Sequence, residues 1–240
     1  MTKIKYINTN GIIAGKTKWK EKSCFLVCYS DDQGLINILA HPAKKSFVSL
    51  ANIPVKVNLS YYQSRRDNYY LREMEVINNY QKLHENFNKF KYSLHIISPI
   101  RELISPGGND MFIFNLLDRA LTALSKVNNK HNQLLILSSY YLILTKHWGY
   151  KFNLNKCVKC NSENIYSFSS SLGGLICKKC NEFYGDTEMI DIDLLKKIDR
   201  ANNNSLYSIQ ASLKSEITLF RSLQKYLYYH FGKTPPDIEL

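Results

Sequence analysis

The chain has 240 residues, 45% of them apolar or aromatic, a composition ordinary for a globular protein and enough for one large domain or two to three small ones. Its formal charge of +12, from 32 Lys and Arg against 20 Asp and Glu, favours an anionic partner, nucleic acid first and a membrane surface second. The start "MTKIKYINTN" lacks the apolar run of a signal peptide, and the longest apolar segment, Leu134 to Leu144, is well short of the roughly 20 residues that span a bilayer. The expectation is a cytoplasmic protein with no membrane partner.

The charge needs weighing, because 25 of the 32 basic residues are Lys and the chain is rich in Asn, Ile and Tyr, as an AT-rich genome would produce. Position says more than the total: residues 1–80 hold 12 Lys and Arg against 6 Asp and Glu. This region reads as β. "YINTNGIIAG" alternates loosely, "SCFLVCYS" is a buried strand, and "DDQG" at 31–34 turns the chain into "LINILAH". After a loop containing "PAKKS", the run 55–63 sets Val55, Val57, Leu59 and Tyr61 on one face and Lys56, Asn58, Ser60 and Tyr62 on the other. "SRRDN" is the next turn and "YYLREMEVI" the last strand. About five strands in so short a span suggest a small closed barrel, for which the OB-fold is the commonest answer. Cys24 and Cys28, four apart on a strand, share a face and read as core packing.

From about Glu85 the period becomes helical, with Phe87, Phe90, Leu94 and Ile97 at 3 and 4 spacing and Pro99 placed to kink or divide the helix. Asn109 or Asp110 can cap the next helix, whose apolar stripe is Phe112, Leu116, Leu117, Ala120, Leu121 and Leu124. "QLLILSSYYLILTKHWG" is apolar on most sides and so central. A cysteine module follows, and the tail from Ile190 returns to helix until Gly232 and two prolines stop it. The expected class is an α+β multi-domain protein: an OB-fold β-barrel at 1–80, a helical domain at 81–155 and 186–240, and an embedded cysteine module at 156–185.

Cys157-x2-Cys160-x16-Cys177-x2-Cys180 has the spacing of a zinc site. Each C-x-x-C turn presents two thiolates, and two turns complete a tetrahedron that leaves no position for water, so the expectation is one structural Zn²⁺ per chain. A zinc deaminase needs H-x-E before P-C-x-x-C, and Lys156 and Ile176 precede these pairs instead. A thioredoxin-like site expects a single C-x-x-C beside a βαβ unit. The six histidines show no ligand spacing, and no Ser/His/Asp triad, phosphate loop or carboxylate pair emerges. No catalytic residue is assigned, and the protein is expected not to be an enzyme.

The order of parts, with "WKEKS" before the hairpin, "GLINILA" after it and the run F-S-x-S-x-G-G-L-x-C-x-x-C from Phe168 to Cys180, resembles the RecO family of bacterial DNA repair mediators over nearly the whole chain. The resemblance implies an OB-fold, a helical domain with embedded zinc, and no enzymatic turnover. It also implies binding of single- and double-stranded DNA, annealing of complementary strands, and action with RecR to help RecA displace single-stranded-DNA-binding protein (SSB) in the nucleoid. An acidic, apolar-ended SSB tail would call for a hydrophobic groove rimmed by Lys or Arg in the helical domain. Family members often carry a denser basic cluster after the hairpin than the Lys44 and Lys45 found here, and "TPPDIEL" has no clear counterpart.

A single strand is held by cations along its phosphates and aromatics under its bases. The barrel segment offers Lys16, Lys18, Lys20 and Lys22 around Trp19, Lys44 and Lys45 before Phe47, and Lys56, Tyr61, Tyr62, Arg65, Arg66, Tyr69 and Tyr70 on the second hairpin. Lys44, Lys45, Arg65 and Arg66 are assigned as backbone contacts and Trp19 as the stacking residue. Lys156, Lys159, Lys178 and Lys179 beside the cysteines have two readings, an extension of the DNA path or an offset to the 2− charge of a four-thiolate zinc. The rival reading is a zinc-stapled protein-interaction scaffold whose basicity reflects genome composition alone.

Overall fold

The first strand, β1 (Tyr6–Trp19), is long enough to serve two neighbours. It pairs antiparallel with β2 (Ser23–Ser30) along its second half and with β4 (Val55–Gln63) along its first, bending at a bulge between Ile13 and Gly15. β3 (Gly34–Ala40) pairs with β2, and β5 (Tyr69–Asn78) with β4. A short parallel pairing, Ile38 with Tyr69 and Leu39 with Tyr70, closes a barrel of order β1-β2-β3-β5-β4, as in an OB-fold. This structure is a computed structural model that describes residues 6–19, 23–41, 52–64, 68–151, 153–184, 187–202 and 204–240. Lys20, Lys22, Lys44, Lys45, Phe47, Arg65 and Arg66 lie outside the described residues. The chain divides into two compact units, Met1–Lys126 and Val127–Leu240.

The alternation in β4 builds the barrel core as expected: Val55, Val57, Leu59 and Tyr61 are buried with Ile13, Leu26 and Ile38. Cys24 and Cys28 join that core. Burial, and after it the charges of Asp31 and Asp32, push the Cys28 thiol well above its ordinary value, which makes it an inert packing residue. Gly11 has no alternative, because a β-carbon there would run into Cys28 Sγ. Gly34 likewise sits at φ 69° against the Gly108 backbone, where Gly107 N–H donates to Leu35 O at 3.1 Å.

Helices α1 (Gln81–His84), α2 (Phe87–Leu103) and α3 (Met111–Lys126) complete the first unit. Asp118 of α3 joins it to the barrel: it accepts from Lys56 Nζ at 2.6 Å and from the Tyr80 hydroxyl at 2.7 Å, fixing the left-handed corner at Tyr80. Two expectations for α2 need correction. Pro99 does not divide it, because the Ser98 hydroxyl donates at 3.3 Å to His95 O, the carbonyl that the missing proline N–H leaves open. The buried stripe is Tyr92, Ile96, Ile100 and Leu103; of the expected one only Ile97 is buried, Phe90 and Leu94 are half-buried, and Phe87 is 74% exposed. Two polar residues on the buried side find partners, Lys89 Nζ donating across to Ser125 O of α3 at 3.0 Å and Ser93 Oγ to Phe90 O one turn back at 2.7 Å. Asp110 is the cap of α3, accepting from Phe112 N–H at 2.9 Å. The α3 stripe holds from Leu116 to Leu124, but exposed Phe112 is replaced in it by buried Ile113 and Phe114.

The second unit contains α4 (Lys130–His147), a hairpin of β6 (Ile165–Ser169) and β7 (Gly174–Cys177), α5 (Lys178–Asn181), α6 (Ile192–Arg200) and α7 (Leu213–His230). As its apolar surround predicts, α4 is central: Leu134, Leu135, Leu137, Tyr141 and Leu144 are fully buried. It packs on α7 through the Tyr141 and Phe220 rings, edge to face at 5.3 Å. α7 ends where expected, with Gly232 at φ 64° and Lys233 N–H closing back to Tyr228 O.

Candidate metal centre and nucleic-acid face

Two local structures bring the four cysteines together. In the first, Asn161 takes a left-handed conformation at φ 61° and donates its N–H to Cys157 O at 3.0 Å, while Cys157 N–H donates to Ser162 O at 2.8 Å. Val158 N–H then lays this knuckle on β7 through Leu175 O at 2.9 Å. In the second, Cys177 ends β7 opposite Ile165 and caps α5, its sulfur accepting from Cys180 N–H at 3.5 Å. Gly173, at φ 83°, makes the hairpin turn between them.

The four sulfurs lie within 4.8 Å of one another, and Cys160 Sγ is 3.6 Å from Cys177 Sγ. A tetrahedron with bonds of about 2.3 Å has edges of about 3.8 Å, so the spacing fits one metal ion. None of the four is in a disulfide. Burial works against ionising Cys157, but backbone hydrogen bonds at Cys160, Cys177 and Lys159 outweigh it and lower the thiol to about 6. Cys180 is pushed up to about 12, first by burial, then by hydrogen bonds with its three neighbours and by the charge of Cys157. Four adjacent sulfurs cannot all ionise unless a cation sits among them, which is what a metal would supply.

The hairpin is secured within its unit. Phe168 and Glu188 exchange backbone hydrogen bonds at 2.9 and 2.7 Å, and the Glu188 carboxylate accepts from the Ser222 hydroxyl and, at 3.1 Å, from Lys225 Nζ. The Phe168 ring rests on Tyr226 at 5.5 Å. Lys159 lies 5.1 Å over the Tyr184 ring, and Lys156 is 3.9 Å from Glu163.

On the barrel, Trp19 is 47% exposed and meets Phe25 edge to face at 5.2 Å. Lys16 and Lys18 on the same strand are also exposed. Other sequence candidates separate. Tyr61 is fully buried and so closed to a base, and Tyr69 is half-buried against the barrel core. Lys56 is held by Asp118. Tyr62 and Tyr70 are likewise half-buried, but they lie on the outer face and stack on each other at 5.5 Å with an interplanar angle of 16°. His41 stacks on Tyr70 at 5.9 Å and 9°, and Tyr6 meets Tyr62 edge to face at 5.9 Å. Sequence reasoning left out His41 and Tyr6, whose positions beside Tyr70 and Tyr62 follow only from cross-strand register.

The family model described as Recombination protein O C terminal matches residues 84–237, more than half of the chain. The chain belongs to the RecO family of DNA repair and recombination proteins. The RecO resemblance in the cysteine module therefore extends through the helices on both sides of it. Among curated RecO relatives, the DNA repair protein RecO of Alkaliphilus metalliredigens is 27% identical over 225 residues, covering 92% of this chain and 90% of the relative. That of Caldanaerobacter subterraneus subsp. tengcongensis is 25% identical over 197 residues, covering 80% and 78%. That of Mesoplasma florum is 24% identical over 237 residues, covering 94% and 86%. Among the described residues no helix is long and apolar enough to cross a membrane.

Proposed function

We propose that this protein is a non-enzymatic recombination mediator: it binds single- and double-stranded DNA, anneals complementary strands, and with RecR helps load RecA on SSB-coated single strands. The observation that carries this reading is a closed OB-type barrel with exposed Trp19, Lys16 and Lys18 on one strand, in a chain of the RecO family. Cations that neutralise phosphates release counterions, and an exposed indole accepts the face of any base, so such a surface favours sequence-tolerant binding. Lys44, Lys45, Arg65 and Arg66 are proposed as further phosphate contacts.

The metal in this reading is zinc, one per chain and structural. Cys157, Cys160, Cys177 and Cys180 would supply four thiolates, a donor set that suits zinc and leaves no coordination site for a reacting water. Partners beyond DNA are RecR and the acidic SSB tail, and the setting is the bacterial cytoplasm at the nucleoid. The test is an anisotropy titration of a labelled single strand across salt. Tight binding that falls steeply with salt, by about 0.7 in the log–log slope for each phosphate contact, supports the reading. No binding at low salt refutes it.

A further inference from the structure

We propose that the outer face of the barrel carries a base-stacking site for unpaired bases of a single strand, with the imidazole of His41 as its open end and Tyr70 and Tyr62 stacked behind it. This deepens the DNA-binding reading above and rests on it. The file crosses the sheet from ring to ring: His41 follows β3, Tyr70 lies on β5, Tyr62 faces it on β4, and Tyr6 faces Tyr62 on β1. His41, Tyr70 and Tyr62 have nearly parallel planes at centroid spacings of 5.9 and 5.5 Å, an offset stack in which each ring covers only part of the next.

Cross-strand aromatic pairs commonly do no more than stabilise a sheet. Here the interior is filled independently, because Tyr61, Tyr69, Leu71 and Met74 of the same two strands supply it from the other face. The outer file instead meets solvent, chiefly at its two ends, with His41 exposed, Tyr6 45% exposed, and Tyr62 and Tyr70 half-buried between them.

The two ends of the file differ. At one, the Arg72 guanidinium lies 4.2 Å over the Tyr6 ring, a cation–π contact that closes the stack and leaves a cation at its edge. At the other, His41 stacks on Tyr70 alone among the described residues. A planar base would continue the stack on the face of that imidazole turned away from Tyr70, where no ring of a described residue stacks, with the same offset geometry. Any base offers such a face, so the site discriminates unpaired from paired bases without reading sequence. The partner is expected to be anionic because residues 1–80 carry 12 Lys and Arg against 6 Asp and Glu.

The test measures the affinity of the full chain for an oligothymidylate and for an abasic strand of equal length, each across a salt series. His41→Ala is compared with wild type, with ring-retaining His41→Tyr, and with Phe87→Ala as an exposed aromatic outside the file. His41→Ala should bind oligothymidylate about five- to 150-fold more weakly, the range for loss of one stacked base, while abasic affinity and salt slope stay unchanged. His41→Tyr should retain wild-type affinity, and so should Phe87→Ala. Unchanged oligothymidylate binding by His41→Ala overturns the site, as does an equal loss on both strands, which would mark a charge or folding effect. If wild type binds neither strand, the DNA-binding reading itself fails.

Discussion

Glu216 is 1% exposed, and its carboxylate is paired with His131 Nδ1, while the other ring nitrogen of His131 meets Ile209 O at 2.7 Å. His131 stands in the first turn of α4 and Glu216 in the first turn of α7, so this contact joins the two central helices of the second unit. Burial pushes the Glu216 carboxyl up and the neighbouring imidazole pulls it down, which makes the carboxyl dependent on that one partner. His131→Ala removes the partner and leaves the buried group behind. Breaking a buried pair in this way costs about 3 to 5 kcal/mol. His131 is 32% exposed, so its removal admits some water and the cost should fall at the low end, about 3 kcal/mol. For a unit of this size that is a fall in Tm of roughly 10 °C. Urea unfolding followed by far-UV circular dichroism measures it. The double variant His131→Leu/Glu216→Met replaces both polar groups with apolar volume and should recover most of the loss. A His131→Ala change within about 0.5 kcal/mol of wild type, or a double variant no better than the single, would refute the reasoning.

Three further outcomes are expected. Metal analysis should find one zinc per chain in wild type and little in Cys160→Ser, whose unfolding midpoint should fall far more than its DNA affinity; a stable, metal-free wild type would count against the thiolate centre. Trp19→Ala should weaken single-strand binding by about 1 to 3 kcal/mol at unchanged salt slope, read by anisotropy. His230, stacked on Tyr150 at 4.5 Å with Nε2 buried and unbonded, is held below its ordinary pKa by burial. The unfolded chain then binds the proton more readily, so this stability is present above about pH 6.5 and is lost as pH falls through the lower folded value. Wild type should lose more stability than His230→Phe between about pH 7.5 and about pH 5 in urea titrations; equal losses would exclude His230 as the cause.

The barrel and the cluster of four cysteines were legible in the sequence because their signals are local. A period of two put Val55, Val57, Leu59 and Tyr61 on one face, and two C-x-x-C turns each define half of a tetrahedron. The α2 stripe misled because apolar residues occur on both sides of that helix, and tertiary partners such as Ser125 O allow Lys89 to be buried. That Pro99 leaves the helix undivided was not legible, because the sequence does not show that the Ser98 hydroxyl reaches the open carbonyl. The ion pair of Lys56 was not legible either, because it depends on the fold bringing Asp118, 62 residues away, to its amine. His41 and Tyr6 escaped for a related reason, since stacking across β3, β5, β4 and β1 depends on strand order and register.

Annealing of complementary single strands, bare and coated with SSB, tests the central claim most directly. A recombination mediator should anneal both, with annealing of coated strands weakening as salt screens its cations. Annealing of bare strands alone, or of neither, would contradict the account and leave a DNA-binding or scaffold protein in its place.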